Sequence, residues 1–273
     1  MSSLVWLITG CSSGFGEQFV HAILARGDKV IATGRNAAER LKHLEDTGAA
    51  IFDLDVNISE SELILKVEDA LKIYGTIDVL VNNAGHERLL RCLNTNLFGP
   101  VNLSRAILPH FRLKKAGTLV FVGSQAGWKG DPGATAYCAS KFALEGVVEC
   151  LSQELAMFSA ELKTIIFEPG YFRTQALSQA NIKHEAPRIP DYAAFNEMTL
   201  QYEKSVYGKE PGDARKAVDL MIDVVKAEGP ASGKSTPLRL PLGSDGLKVI
   251  RDKCEATLSI CREWESEIVS TDI

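Results

Sequence analysis

Two hydrophobic patterns alternate along this chain. Short continuous apolar runs, the first at Leu4–Ile8, are followed by longer segments whose apolar residues recur every third or fourth position. A strand buried on both faces produces the first pattern, and a helix packed on a sheet produces the second. Strands are expected at 4–8, 29–33, 50–54, 77–81, 118–122, 164–167 and 238–240. Helices are expected between them: from Phe15 to a stop at Gly27, from an Asn36 cap to about Asp46, and from Ser59 through Tyr74. Further helices are expected at 96–113 despite Pro100 and Pro109, at 137–158, at 213–228 and, as an amphipathic C-terminal helix, at 244–267. Strand–helix alternation predicts an α/β fold: a Rossmann-type, doubly wound parallel sheet of about seven strands with helices on both faces and right-handed crossovers. The alternation lapses only at about 171–210, where Tyr, Phe, Met and Pro residues suggest a short helical lid. With no linker-like or repeated stretch, residues 1–273 are expected to form a single domain.

Composition narrows the function. A hydrophobic content of 45% supports a large core, and a net charge of −5 without a dense basic run argues against a nucleic-acid partner. No apolar stretch approaches the ~20 residues that span a bilayer, and no secretory leader is visible, so a cytoplasmic protein is expected. The six cysteines are scattered without a C-x-x-C pair, the pattern of reduced thiols rather than of a zinc site.

The first strand runs into Thr9-Gly10-Cys11-Ser12-Ser13-Gly14-Phe15-Gly16 and then a helix. Glycines there let the backbone approach a pyrophosphate, and the helix N-terminus offers N–H groups and a positive dipole end. A dinucleotide is therefore expected on Gly10, Ser12, Ser13, Gly14, Phe15 and Gly16. After the second strand the chain reads Thr33-Gly34-Arg35, where a carboxylate would favour a ribose 2′-hydroxyl. Arg35 instead suits a 2′-phosphate, with Ser12 and Ser13 as further donors, so NADP(H) is expected rather than NAD. Asp55 is a candidate partner for the adenine amino group and Val56 for its face.

Tyr137 and Lys141 stand four residues apart in a helical stretch and so share a face. A cation beside a phenol lowers the phenol's pKa, which suits a proton donor or acceptor near neutral pH.

These motifs, with Asn82-Asn83-Ala84-Gly85, with Ser124 thirteen residues before Tyr137, and with Pro169-Gly170 followed by Thr174, resemble the short-chain dehydrogenase/reductase family. The runs Tyr137–Gly146 and Arg239–Asp245 look like its 17β-hydroxysteroid-dehydrogenase-like branch. The resemblance implies a nicotinamide-dependent carbonyl reductase or alcohol dehydrogenase. In it Tyr137 is the acid or base, Lys141 tunes Tyr137 and binds the nicotinamide ribose, Ser124 orients the carbonyl, and Asn96 holds a relay water. Asn83, Ala84 and Gly85 would shape the cofactor edge, while Pro169, Gly170 and Thr174 would hold the carboxamide side. A homodimer or homotetramer through the helices at 96–113 and 137–158 is implied as well.

One feature departs from the family pattern. Only residues 86–95 separate Asn-Asn-Ala-Gly from Asn96, a shorter connection than relatives usually carry, and Asn94 is a second candidate for the relay. The shortening leaves isomerisation, dehydration or cyclisation open beside reduction, and a non-catalytic NADP-binding sensor as a further alternative. Tyr171, Phe172, Tyr192, Phe195, Met198, Tyr202 and Tyr207 in the lid point to an apolar small-molecule substrate, polycyclic ones included, and Trp128 is expected beside the pocket.

Overall fold

The computed structural model describes residues 3–84, 92–175 and 190–273. Its sheet has seven parallel strands in the order β3-β2-β1-β4-β5-β6-β7. They are β1 (Val5–Ile8), β2 (Lys29–Gly34), β3 (Ala50–Asp53), β4 (Val79–Asn82), β5 (Gly117–Val122), β6 (Leu162–Pro169) and β7 (Arg239–Leu242). The order reverses between β1 and β4, so loops leaving their carboxyl ends diverge and open a crevice, the usual ligand position in such sheets.

Side-chain alternation along the buried strands feeds two cores. Trp6 and Ile8 of β1, with Val120 and Phe167, face α1 (Gly14–Ala25) and the later helix at Ala214–Lys226. Leu7, Leu119 and Phe121 face the opposite layer, where they meet Leu63, Leu103, Phe111, Leu144 and Val148. This second layer consists of α3 (Glu60–Tyr74), α4 (Gly99–Lys114) and α5 (Thr135–Ala156). Helix α3 begins with a capping box in which the Ser59 hydroxyl accepts from the Glu62 N–H and the Glu62 carboxylate accepts from the Ser59 N–H. The remaining helices are α6 (Ala193–Val206), α7 (Ala214–Lys226), α8 (Ser244–Glu263) and α9 (Glu265–Val269).

Three expectations about helices need correction. The segment after Asn36 forms only one α-turn, α2 (Ala37–Arg40), before tightening into a 3-10 turn at Lys42–Thr47. Asn36 does not cap it through its side chain: it sits in the left-handed region at φ 51°, and Asp53 accepts the Ala37 N–H instead. The C-terminal helix breaks at Trp264 (φ −110°, ψ 16°) before continuing as α9. The helix expected from Asn96 is entered through a π-helical turn, Asn94–Phe98, closed by the Gly99 N–H on the Asn94 carbonyl. Such turns reorient a side chain within an otherwise regular helix. Among the described residues of the expected lid, 190–192 form a 3-10 turn and α6 follows, with Tyr192, Met198 and Tyr202 exposed.

Candidate active site

The loop after β1 is held by the loop after β4. Thr9 Oγ1 accepts the N–H groups of Asn83 and Ala84 at 3.0 and 3.1 Å, and Asn83 Nδ2 donates to the Thr9 and Gly10 carbonyls at 2.9 and 3.1 Å. The glycines are required by this closeness. A Cβ on Gly16 would overlap the Gly10 carbonyl, and one on Gly10 would lie 2.9 Å from Ala84 Cα, with Gly10 at φ 73°. Ser13, the residue before α1, is extended and makes no side-chain cap, so the first N–H groups of α1 are left for an anion. This cradle fits a pyrophosphate. Phe15 packs against Phe172 with ring centres 5.5 Å apart and the planes tilted by 60°, and Thr174 lies over Gly14, so the segment after β6 borders the same loop.

After β2, Arg35 is exposed, and Arg40 of α2 reaches Ser12 Oγ at 3.4 Å. Arg40 escaped the sequence reading because Ser12 lies 28 residues away along the chain, on another loop. Asp55 Oδ1 is taken by the backbone and side-chain N–H groups of Asn57. Val56 is buried against Gly99, which ties the loop after β3 to the π-turn. The Gly170 and Tyr171 N–H groups are bound by the Leu242 carbonyl and the Asp245 carboxylate. What Pro169-Gly170 presents to a ligand is therefore shape, not these donors. Gly85 and His86 lie outside the described residues.

Tyr137 and Lys141 stand on the first two turns of α5. The Lys141 ammonium lies 5.6 Å from the Tyr137 ring centre and donates to the Val122 carbonyl at 2.8 Å. It is buried, and burial pulls its pKa down to about 8 against the opposing charge of Glu145. Two residues beyond Val122, buried Ser124 accepts the Ala126 N–H at 3.1 Å and starts the turn at Gln125–Gly127, which packs on α5. Asn96 Nδ2 donates to Ser140 Oγ at 3.0 Å, and Ser140 Oγ donates to the Tyr137 carbonyl at 2.7 Å. The π-turn thus brings Asn96, buried, onto the helix of Tyr137 and Lys141 while Asn94 is exposed.

A family model described as short chain dehydrogenase matches residues 4–185. The chain belongs to the short-chain dehydrogenase family. A 3-ketodihydrosphingosine reductase of Bacteroides thetaiotaomicron is 33% identical over 71% of this chain and 73% of its own. A short-chain dehydrogenase structure from Streptomyces avermitilis is 33% identical, has a TM-score of 0.83 and covers 100% of both chains. Structures of the same fold have been solved with NAD and with NADP. The family is one of oxidoreductases that interconvert carbonyls and alcohols with a nicotinamide cofactor, and this chain is such an oxidoreductase.

This dehydrogenase carries a charge cluster behind Lys141 that its sequence did not reveal. Glu145, one turn beyond Lys141, meets Arg239 Nε of β7 at 2.9 Å, and Glu168 Oε1 of β6 lies 3.8 Å from the same nitrogen. Arg239 continues to Glu149 at 2.6 Å, and the Trp128 indole N–H donates to Glu168 Oε1 at 2.8 Å. Glu145 Oε1 and Glu168 Oε2 are both buried and find no N–H or hydroxyl donor among the described residues. Burial pushes Glu168, fully enclosed, up to about 8, whereas Arg239 holds Glu145 closer to the charged state although burial raises it too. Trp128, expected at the substrate pocket, spends its N–H here. The one local hint was the spacing Tyr137, Lys141, Glu145 on a single helix face.

Among the described residues no helix is long and apolar enough to cross a membrane. All six cysteines are free thiols; burial pushes Cys11, in the glycine loop, up to about 12 and leaves it unreactive.

Proposed function

We propose that this dehydrogenase is an NADP(H)-dependent reductase of apolar ketones or aldehydes, running in reverse as an alcohol dehydrogenase. The observation that carries the reading is the Lys141 ammonium, buried and one turn from the Tyr137 phenol. In reduction Tyr137 gives its proton to the carbonyl oxygen as that oxygen gains charge, and Lys141 stabilises the phenolate left behind. The Ser124 hydroxyl donates to the same oxygen and orients it. A bound nicotinamide cofactor supplies the hydride, which attacks the carbonyl carbon, so C=O plus hydride and proton gives the alcohol. Asn96, tied to Ser140, holds the water that returns a proton to Lys141 and Tyr137.

Cofactor choice rests on Arg35, exposed after β2, and Arg40, beside Ser12, two cations suited to a 2′-phosphate, with no carboxylate at the end of β2. Gly10, Ser13, Gly14, Phe15 and Gly16 would hold the pyrophosphate, Asp55 and Val56 the adenine, and Asn83, Ala84, Gly85 and Thr174 the remaining edge. An apolar substrate is favoured by the lid: Tyr192, Met198, Tyr202 and Tyr207 are all exposed, ready to cover a ligand. The Bacteroides relative's name, a ketone reductase, points the same way. The 17β-hydroxysteroid-dehydrogenase-like resemblance belongs to this reading and names no substrate, because branch describes ancestry rather than site.

The test is oxidation of NADPH by the purified protein with a panel of ketones, diketones and quinones, followed by Tyr137→Phe. Turnover with NADPH preferred over NADH is expected, with Tyr137→Phe abolishing it while cofactor affinity stays nearly unchanged. Tight NADPH binding without turnover on any of the panel would overturn the reductase reading.

A further inference from the structure

The last two helices leave the domain with an apolar seam uncovered. Only the first turns of α8 sit on the body, against β7 and the turn at 125–127, and every residue from 251 to 273 is exposed. Leu258, Ile260, Trp264 and Ile268 are each more than half exposed. Single exposed apolar residues are ordinary, but Trp264 and Ile268 belong to one periodic set, which Leu258 and Ile260 flank. Leu247, Ile250, Cys254, Thr257, Cys261, Trp264 and Ile268 follow alternating steps of three and four, the spacing of a seam between two helices. The break at Trp264 does not interrupt it, since the Trp264 N–H still bonds the Ile260 carbonyl and the Ile268 N–H the Trp264 carbonyl. Beside the seam lies an open cavity of about 600 Å³ lined on one side by Trp128, Phe142 and Gly146 and on the other by Cys254, Thr257 and Leu258.

We propose that this seam and groove receive the same helix of a second copy of this chain, running antiparallel. The charges choose both the partner and the direction. An antiparallel pair stacks Ile250 on Ile268 of the second copy, Cys254 on its Trp264 and Thr257 on its Cys261. In that one register the flanking positions pair Arg251 with the second copy's Glu265 and Lys253 with its Glu267, while Leu258 and Ile260 each meet their own counterparts at the dyad. The two-fold repeats every contact, as a closed dimer requires. A parallel pair would set Lys253 beside Leu258 and Ile260 beside Glu265, leaving each charge against an apolar side chain. The polar positions also argue against a lipid surface. From 245 to 267 six acidic residues outnumber four basic ones, the opposite of the basic face that binds anionic membranes. The docked helix would also cover the Arg239–Glu149 pair that borders the groove.

The test is the mass in solution, by light scattering on a sizing column, of the full chain, of Arg251→Glu, of Glu265→Arg and of the double variant. Both substituted positions are exposed and lie outside the catalytic machinery, so far-ultraviolet circular dichroism and turnover per chain serve as folding controls. The wild type is expected to run as two chains. Each single reversal places two like-charged pairs in the dimer and is expected to weaken it about ten-fold or more, and the double variant restores opposite charges and the dimer. Three results would overturn the proposal: a wild type that stays monomeric at about 100 µM, whether or not it floats with anionic vesicles; a dimer unmoved by either reversal; or two weakened singles that the double variant does not rescue.

Discussion

Replacing Lys141 with methionine is expected to stabilise the cofactor-free protein while abolishing turnover. The side chain is buried, and its ammonium, pulled down to about 8 from an ordinary 10.5, is disfavoured by the fold at neutral pH. That difference corresponds to a penalty of about 3 kcal/mol on the charged form. Methionine fills similar space without charge but gives up the donor to the Val122 carbonyl, a loss of about 1 kcal/mol. The net expectation at pH 7 is a gain of about 2 kcal/mol, roughly 4–8 °C in melting temperature for a chain of this size. The sign reverses in alkali. Between about 8 and 10.5 the folded wild type sheds a proton that the unfolded chain keeps, so the wild type gains stability as pH rises through that window. The methionine variant has nothing to titrate there, and its advantage should shrink toward zero or below by pH 10. Urea unfolding of both proteins at pH 7 and pH 9.5, followed by tryptophan fluorescence, measures this. A Lys141→Met protein less stable than wild type at pH 7, or an advantage unchanged at pH 9.5, would refute the reasoning. The fold would then be shown to gain from the ammonium rather than to tolerate it for chemistry.

Further outcomes follow from other parts of the site. Glu168→Gln should remove a pH dependence in a lower window: the folded wild type keeps a proton between about 4.5 and 8 that the unfolded chain releases, so its stability falls as pH rises there, by up to about 1 kcal/mol per pH unit, whereas the glutamine variant lacks that fall between pH 6 and 7, below the range in which Lys141 titrates, in the same unfolding assay. Gly16→Ala should cost about 1–3 kcal/mol and most of the cofactor affinity, read by unfolding and by NADPH fluorescence titration, because its Cβ has no room against the Gly10 carbonyl and Asn83 Nδ2. Arg35→Ala with Arg40→Ala should weaken NADPH binding at least about ten-fold while leaving NADH binding within a factor of about two; equal losses for both cofactors would remove the 2′-phosphate assignment.

Element order was legible because buried parallel strands read as unbroken apolar runs and the helices between them carry their own period. The helix start at Ser59 and the glycine loop were legible because the residues that mark them are contiguous in the chain. The helix after Asn36 was misread because Asp53, distant in sequence, takes the N–H that a local cap was expected to take. Asn96 could be named but not placed, since the π-turn that aims it at Ser140 is set by Val56 packing on Gly99. Arg40 and the Glu145–Glu168 pair were not visible at all. Each depends on two elements that meet only after the sheet has assembled.

The amino-acid sequence by itself determined a parallel α/β sheet, a phosphate-type loop after β1, and a phenol and an amine on one face of a helix. Local covalent geometry suffices for these: strand and helix periods decide which way a side chain points whatever surrounds it. Only the tertiary structure decided how those groups behave. Lys141 loses basicity because β5 and the turn after Ser124 close over it, and burial together with the charge of Glu145 raises the pKa of Glu168 against the Trp128 N–H that favours its carboxylate. Arg239, 94 residues from Glu145 along the chain, then decides which carboxyl carries the charge. Dielectric surroundings and charge partners come from distant segments, so pKa values and proton placement are properties of the assembled fold.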